Sequence, residues 1–148
     1  MIINKLQKNI LIAPLNWGLG HATRCIPIIN ELIKEGFRPI IASDGAALEL
    51  LRKEFPDATH LELPSYKIEY SKKSKNFKWK IVKNSPKILK AISKEKKIVK
   101  NWISEYNLCG LISDNRLGVR SKKIPSVIIT HQLTVFSGKT TFFSTQLH

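Results

Sequence analysis

The order of elements readable in this sequence predicts an α/β domain, a Rossmann-like, mainly parallel sheet with helices on both faces. Three observations carry that expectation. Short apolar runs of strand type alternate with stretches whose apolar residues recur at helical spacing, the pattern of successive βαβ units with right-handed crossovers. The first of these runs breaks into a glycine-flanked loop, "LNWGLG", directly before a helical stretch. A chain of 148 residues, 43% of them hydrophobic, can fill one sizeable core, so residues 1–148 are expected to form a single domain.

Each element has its own justification. "ILIAP" (10–14) is continuously apolar, as expected of a central parallel strand covered on both faces. After the loop, Ala22, Ile26, Ile29 and Ile33 share a helical face and Gly36 supplies the stop. Pro27 removes a backbone hydrogen bond and clashes with the preceding turn, so the regular helix is expected to begin near Ile26, or residues 21–25 to form a separate first turn. "RPIIASD" (38–44) is the second strand, with Asp44 as cap of a helix in which Leu48, Leu51 and Phe55 share a face until Pro56. "THLELP" (59–64) alternates polar and apolar residues, which suits a strand nearer the sheet edge. Beyond the polar segment "SYKIEYSKKSKNFKWK", Ser85 and Pro86 read as N-cap and first-turn proline of a helix with Leu89, Ile92, Val99, Trp102, Ile103 and Tyr106 on its apolar face. Lys87, Lys90, Lys94 and Lys97 fall on the opposite face. "CGLISD" (109–114) and "SVIIT" (126–130) are the remaining strands, and "NRLGVRSKKIP" between them holds at most a brief helix.

The formal net charge is +14, concentrated between Lys72 and Lys100, where Glu95 is the only acid. Such a segment is either an ordinary solvated face or an attractor of phosphates on lipid headgroups, nucleic acid or a nucleotide-linked substrate. The chain lacks aromatic RNP-type strands and glycine-lysine clamp loops, so a dedicated nucleic-acid protein is not expected. No run approaches the roughly 20 apolar residues of a membrane helix, and the N-terminus does not read as a signal peptide. A cytoplasmic location is the expectation. Cys25 and Cys109 lie far apart inside apolar patterns, as for two buried free thiols.

In sheets of this kind ligands bind at the carboxyl ends of the strands. That rule selects the loop from Asn16 to His21, the loop after Asp114, and the one carrying Thr130, His131 and Gln132. A dinucleotide fingerprint fails, because Gly18 and Gly20 are followed by Thr23 where a third glycine belongs. "SGKTT" near the end is not a P-loop, since Leu133 stands where its first glycine is required. No metal or cofactor is expected. His21 at a strand-to-helix junction is placed to take a proton from a substrate hydroxyl, and Asp114, ending a later strand on the same side, is placed to orient its imidazole. The equally simple alternative is that both satisfy local backbone groups. Asn16, Trp17, Gly18, Gly20, Arg24, Asn115, His131 and Gln132 surround these two as candidate substrate-binding residues.

Together "LNWGLGHATR", "IIASDGAALELLRKEFP", "LPSYKIEY" and "LISDNRLGVRSKKIPSVIITHQL" resemble the N-terminal half of GT-B fold glycosyltransferases of the family 28 type, from about Ile10 to Leu133. This group includes the enzyme that adds N-acetylglucosamine to the peptidoglycan lipid intermediate. The resemblance implies an inverting transfer of a hexosyl group from a nucleotide-sugar donor to a hydroxyl acceptor. The acceptor would be bound by this half and the donor by a second Rossmann-like domain. It also implies His21 as general base, supported by Asp114. The related enzymes place a proline soon after that histidine, whereas here it arrives at Pro27. The chain ends at His148, before any donor domain, and is expected to be a fragment that does not transfer sugar alone. The lysine-rich segment would then face an anionic membrane at its inner surface or a lipid-linked acceptor, with Phe77, Trp79 and Ile81 as interfacial anchors or as plain core. A non-catalytic basic module for membrane or RNA and part of a sugar-nucleotide epimerase of the same fold are the competing expectations.

Overall fold

A computed structural model describes residues 8–66 and 77–130, the side chains of 77–85 excepted. The apolar run of 10–14 lies within β1 (Lys8–Pro14), at the centre of a parallel sheet with β2 (Phe37–Ser43), β3 (Thr59–Glu62), β4 (Leu108–Asp114) and β5 (Ser126–Ile129). The strand order is β3-β2-β1-β4-β5, which places β3 on an edge. Helices α1 (Gly20–Lys34), α2 (Gly45–Glu54) and α3 (Phe77–Glu105) make the crossovers. Successive residues of a strand face opposite sides. Ile12 and Ile41 pack with Ala22, Cys25 and Ile29 of α1 and Ala47 and Leu51 of α2. Leu11, Ala13, Ile40 and Ala42 pack instead with Val99, Trp102 and Ile103 of α3. Burial on both faces explains the unbroken apolar run in β1.

This order creates one special place. The chain steps outward from β1 to β3 with α1 and α2 on one face, then returns through α3 on the other face and enters β4 beside β1. The order therefore reverses between β1 and β4, whose carboxyl ends meet at Pro14 and Asp114 in the register. Crevices at such reversals are where ligands bind in open α/β sheets.

Several sequence expectations are corrected. Helix α1 runs without interruption through Pro27. Pro27 and Thr23, whose carbonyl loses its amide partner to the proline, are both exposed, so water reaches the orphaned oxygen and the helix need not break. Helix α3 begins at Phe77 rather than at Ser85 and likewise continues through an exposed Pro86. Leu89, expected on its apolar face, is 62% exposed. The Asp44 side chain makes no capping hydrogen bond to α2. Cys109 is only partly buried, because β4 at that position is not fully covered, whereas Cys25 is enclosed. Gly36 closes α1 as expected, with φ +81° and its amide donating to Ile33 O at 3.0 Å.

Candidate active site

Beyond β1 the chain is held against β4 by Leu15, whose amide donates to Asp114 O at 2.9 Å. Trp17 N then donates to Leu15 O at 3.0 Å, and Gly18 takes φ +70°, a left-handed backbone that glycine adopts without strain. Space around Gly20 is open, and α1 starts there. His21 consequently lies in the first turn of α1, over the carboxyl end of β4, with 8% of its surface exposed. Trp17 and Leu19 on either side of Gly18 are 43% and 48% exposed and present apolar surface beside it.

The structure brings together three of the candidate residues. His21 Nδ1 is 3.0 Å from Asp114 Oδ1. Arg24, one turn further along α1, donates from Nε to Asp114 Oδ2 and from Nη2 to Asp114 Oδ1, both at 3.0 Å. Arg24 Nη2 also lies 2.9 Å from His21 Nδ1. The Asp114 carboxylate is fully buried, and a buried charge persists when it is paired and hydrogen-bonded. Arg24 is thus tied to the His21–Asp114 pair rather than projecting on its own.

Asn16 is used differently. Its Oδ1 accepts from Ala47 N at 3.3 Å, and its Nδ2 lies 3.4 Å from Asp44 Oδ2. Asn16 therefore supplies the cap that Asp44 does not. Gly45 takes φ +50°, a left-handed backbone that favours glycine, and a Cβ there would lie 2.4 Å from Asn16 Nδ2 and push that side chain out of its capping position. Asn115 is half-buried just past β4 at φ +59°, with its amide donating to Ile129 O at 3.2 Å. Its left-handed backbone, tolerated by asparagine, turns the chain away from the sheet. His131, Gln132 and Lys72 lie outside the described residues, as do the side chains of Phe77, Trp79 and Ile81.

Beneath the loops lies a charged cluster that reading the sequence missed. Arg116 is fully buried. Its Nε donates to Pro14 O at 3.0 Å, Nη1 to Glu95 Oε1 at 2.7 Å and to Pro64 O at 3.2 Å, and Nη2 pairs with Asp44. Tyr66 OH donates to Glu95 Oε2 at 2.7 Å, and the Tyr66 ring lies 5.6 Å below the guanidinium carbon. One guanidinium thereby ties the carboxyl ends of β1, β2 and β3 to α3. The available signal was Glu95 itself, a lone acid among lysines whose position between Ile92 and Val99 puts it on the apolar side of the helix. Among the described residues no three His, Cys, Asp or Glu side chains converge as metal ligands would, and no helix is long and apolar enough to cross a membrane.

Solved structures share this architecture. A UGT transferase of Siraitia grosvenorii, solved in complex with UDP, superimposes with a TM-score of 0.53 over 84% of this chain and 28% of its own, at 14% identity. MurG of Acinetobacter baumannii superimposes with a TM-score of 0.52 over 95% of this chain and 39% of its own, at 15% identity. The fold is one half of a GT-B fold. The chain thus spans well under half the length of either structure. No protein-family profile and no curated protein matches the sequence. Within this GT-B half, the β1–β4 reversal carries the His21, Arg24 and Asp114 cluster.

Proposed function

We propose that this chain is the acceptor-binding half of an inverting, nucleotide-sugar-dependent glycosyltransferase that moves a hexosyl group to a hydroxyl acceptor. The observation that carries the reading is the 3.0 Å contact of His21 Nδ1 with the buried Asp114 carboxylate at the strand-order reversal. With Nδ1–H donated to Asp114, Nε2 takes the proton of the acceptor hydroxyl while that oxygen forms its bond to the anomeric carbon of the donor sugar. The bond from that carbon to the nucleoside diphosphate breaks in the same displacement, and the diphosphate leaves with the electron pair. Asp114 holds the tautomer and stabilises the imidazolium that forms. Trp17 and Leu19 offer the acceptor an apolar surface. Alignment of base, acceptor oxygen and leaving group requires the donor-binding half, which also stabilises the departing diphosphate. In the protein carrying both halves, His21→Ala lowers turnover by about 10²-fold or more, as for loss of a general base. Undiminished turnover in that variant overturns the assignment, and release of free nucleotide without transfer would favour an epimerase.

The exposed face of α3 supports a finer reading. Lys87, Lys90, Lys94, Lys96, Lys97 and Lys100 are all exposed, and Glu95 between them is buried. This face holds the enzyme at the inner surface of an anionic membrane, where each lysine contributes about 1 kcal/mol near the surface, and a lipid-linked acceptor becomes accessible there. Vesicles containing anionic lipid are expected to retain the protein at low salt and release it as salt rises. Equal retention by neutral vesicles would refute this, and tight RNA binding in its place would favour the basic-module alternative.

A further inference from the structure

His21 Nδ1, Asp114 Oδ1 and Arg24 Nη2 form a nearly equilateral triangle, with edges of 3.0 Å from Nδ1 to Oδ1, 3.0 Å from Nη2 to Oδ1 and 2.9 Å from Nη2 to Nδ1. A carboxylate oxygen only accepts and a guanidinium nitrogen only donates, whereas Nδ1 does either according to its proton. When Nδ1–H points at Asp114, it meets the Arg24 N–H donor against donor. When Nδ1 is bare, it accepts from Arg24 but sets its lone pair against Oδ1. One edge is repulsive in either tautomer. The side chain able to relieve it is Arg24, which is 37% exposed, against 10% for His21 and none for Asp114.

We propose that Arg24 is a positioning residue that controls the tautomer of His21 and is drawn aside by an anionic substrate group. In the resting arrangement the Asp114 charge is met by two guanidinium hydrogen bonds, which weakens its claim on an imidazole N–H, and Arg24 offers Nδ1 a charge-assisted donor on the shortest edge. His21 then carries its proton on Nε2, the nitrogen that must be bare to act as base. Phosphate oxygens compete well for a guanidinium fork. A substrate phosphate that engages the exposed Arg24 frees Asp114 to take Nδ1–H, and Nε2 becomes basic only when substrate is present. The role in the reaction rests on the glycosyltransferase reading above, whereas the tautomer control does not.

The test is nitrogen NMR of the His21 ring in the full chain, at an alkaline pH where the two ring-nitrogen shifts themselves report a neutral imidazole. Wild type is expected to show a bare Nδ1 and a protonated Nε2. Arg24→Met and Arg24→Gln, each checked for an unchanged backbone amide spectrum away from α1, are expected to show the reverse. Inorganic pyrophosphate at constant ionic strength should move the wild-type pattern toward that of the variants and leave the variants unmoved. The same tautomer in all three proteins overturns the proposal. Reversal in the variants without any response of wild type to pyrophosphate overturns displacement by phosphate and leaves the tautomer control standing. Reversal in the variants combined with full turnover of His21→Ala in the two-domain protein would instead refute the transferase role of His21 and spare the control by Arg24.

Discussion

Cys25 lies one residue beyond Arg24, enclosed between α1 and the sheet, and its thiol is pushed up to about 12, first by burial and then by the Asp114 carboxylate, with Arg24 opposing. Tyr66 is raised as well, first by burial and then by Glu95, to which its hydroxyl donates. Both groups are neutral when protonated, so the folded chain keeps protons that the unfolded chain surrenders at about 8.5 for a thiol and about 10 for a phenol. Stability from Cys25 is therefore complete below about pH 8.5 and is lost as pH climbs toward about 12, with Tyr66 adding to the decline above about pH 10. Urea midpoints are expected to hold steady from neutral pH to about 8.5 and to fall beyond it. Cys25→Ala should flatten the first part of that fall, whatever its effect on the midpoint at neutral pH. A midpoint independent of pH up to 11 would contradict the enclosure of both groups. The pairing of His21 with Asp114 was legible at this scale because both stand where strands end on the ligand side of a parallel sheet. The third member was not, since an arginine one turn along a helix reads from sequence as a free binding group.

The helices show where local sequence rules and packing part company. Pro27 and Pro86 were read as boundaries, yet both helices run through them; at Pro27 the exposed turn leaves the orphaned Thr23 carbonyl open to water while Ala22, Cys25 and Ile29 behind it stay buried. The strands were legible to within two residues at their ends, β1 and β2 from the continuous apolar runs that burial on both faces requires and the edge strand β3 from its alternation. Helix α3 also carries a constraint that no spacing rule reveals. A Cβ on Gly118 would sit 2.5 Å from Glu95 Oε2 and 2.6 Å from the backbone oxygen of Ile92, neither of which has room to withdraw. Gly118 N donates to Glu95 Oε2 at 2.8 Å, so the loop after β4 is pressed directly onto the helix. Gly118→Ala is expected to cost about 1–3 kcal/mol, as for other overpacked sites. Gly20→Ala, with open space around it, serves as the comparison and should change the urea midpoint little. Equal effects of the two substitutions would mean that α3 and the loop are not in close contact.

Across the whole domain, the buried cluster around Arg116 joins the layers where they bear on the ligand side. Its guanidinium contacts Pro14 at the end of β1, Asp44 after β2, Pro64 after β3 and Glu95 in α3, while the peptide of Arg116 bonds Ser113 Oγ at 3.0 Å beside Asp114. The carboxyl ends of β1, β2 and β3 are thus tied to α3 by a single side chain that follows Asp114 by two residues. Buried pairs of this kind contribute little net stability beside apolar packing, but removing one partner strands the other charges. Arg116→Met leaves the fully buried Glu95 without its cation and deprives Asp44 of the same partner. The expected loss is about 3–5 kcal/mol, a large part of the roughly 5–15 kcal/mol that holds a domain folded. Arg116→Met combined with Glu95→Gln removes one stranded charge along with its partner, and Tyr66 and Gly118 retain an acceptor in the amide oxygen of the glutamine. The double variant should therefore recover part of the urea midpoint lost by Arg116→Met alone, the coupling expected of residues in one network. Additive losses would show that Arg116 and Glu95 act separately, and that the ends of β1, β2 and β3 are held by packing on α3 rather than by this shared ion pair.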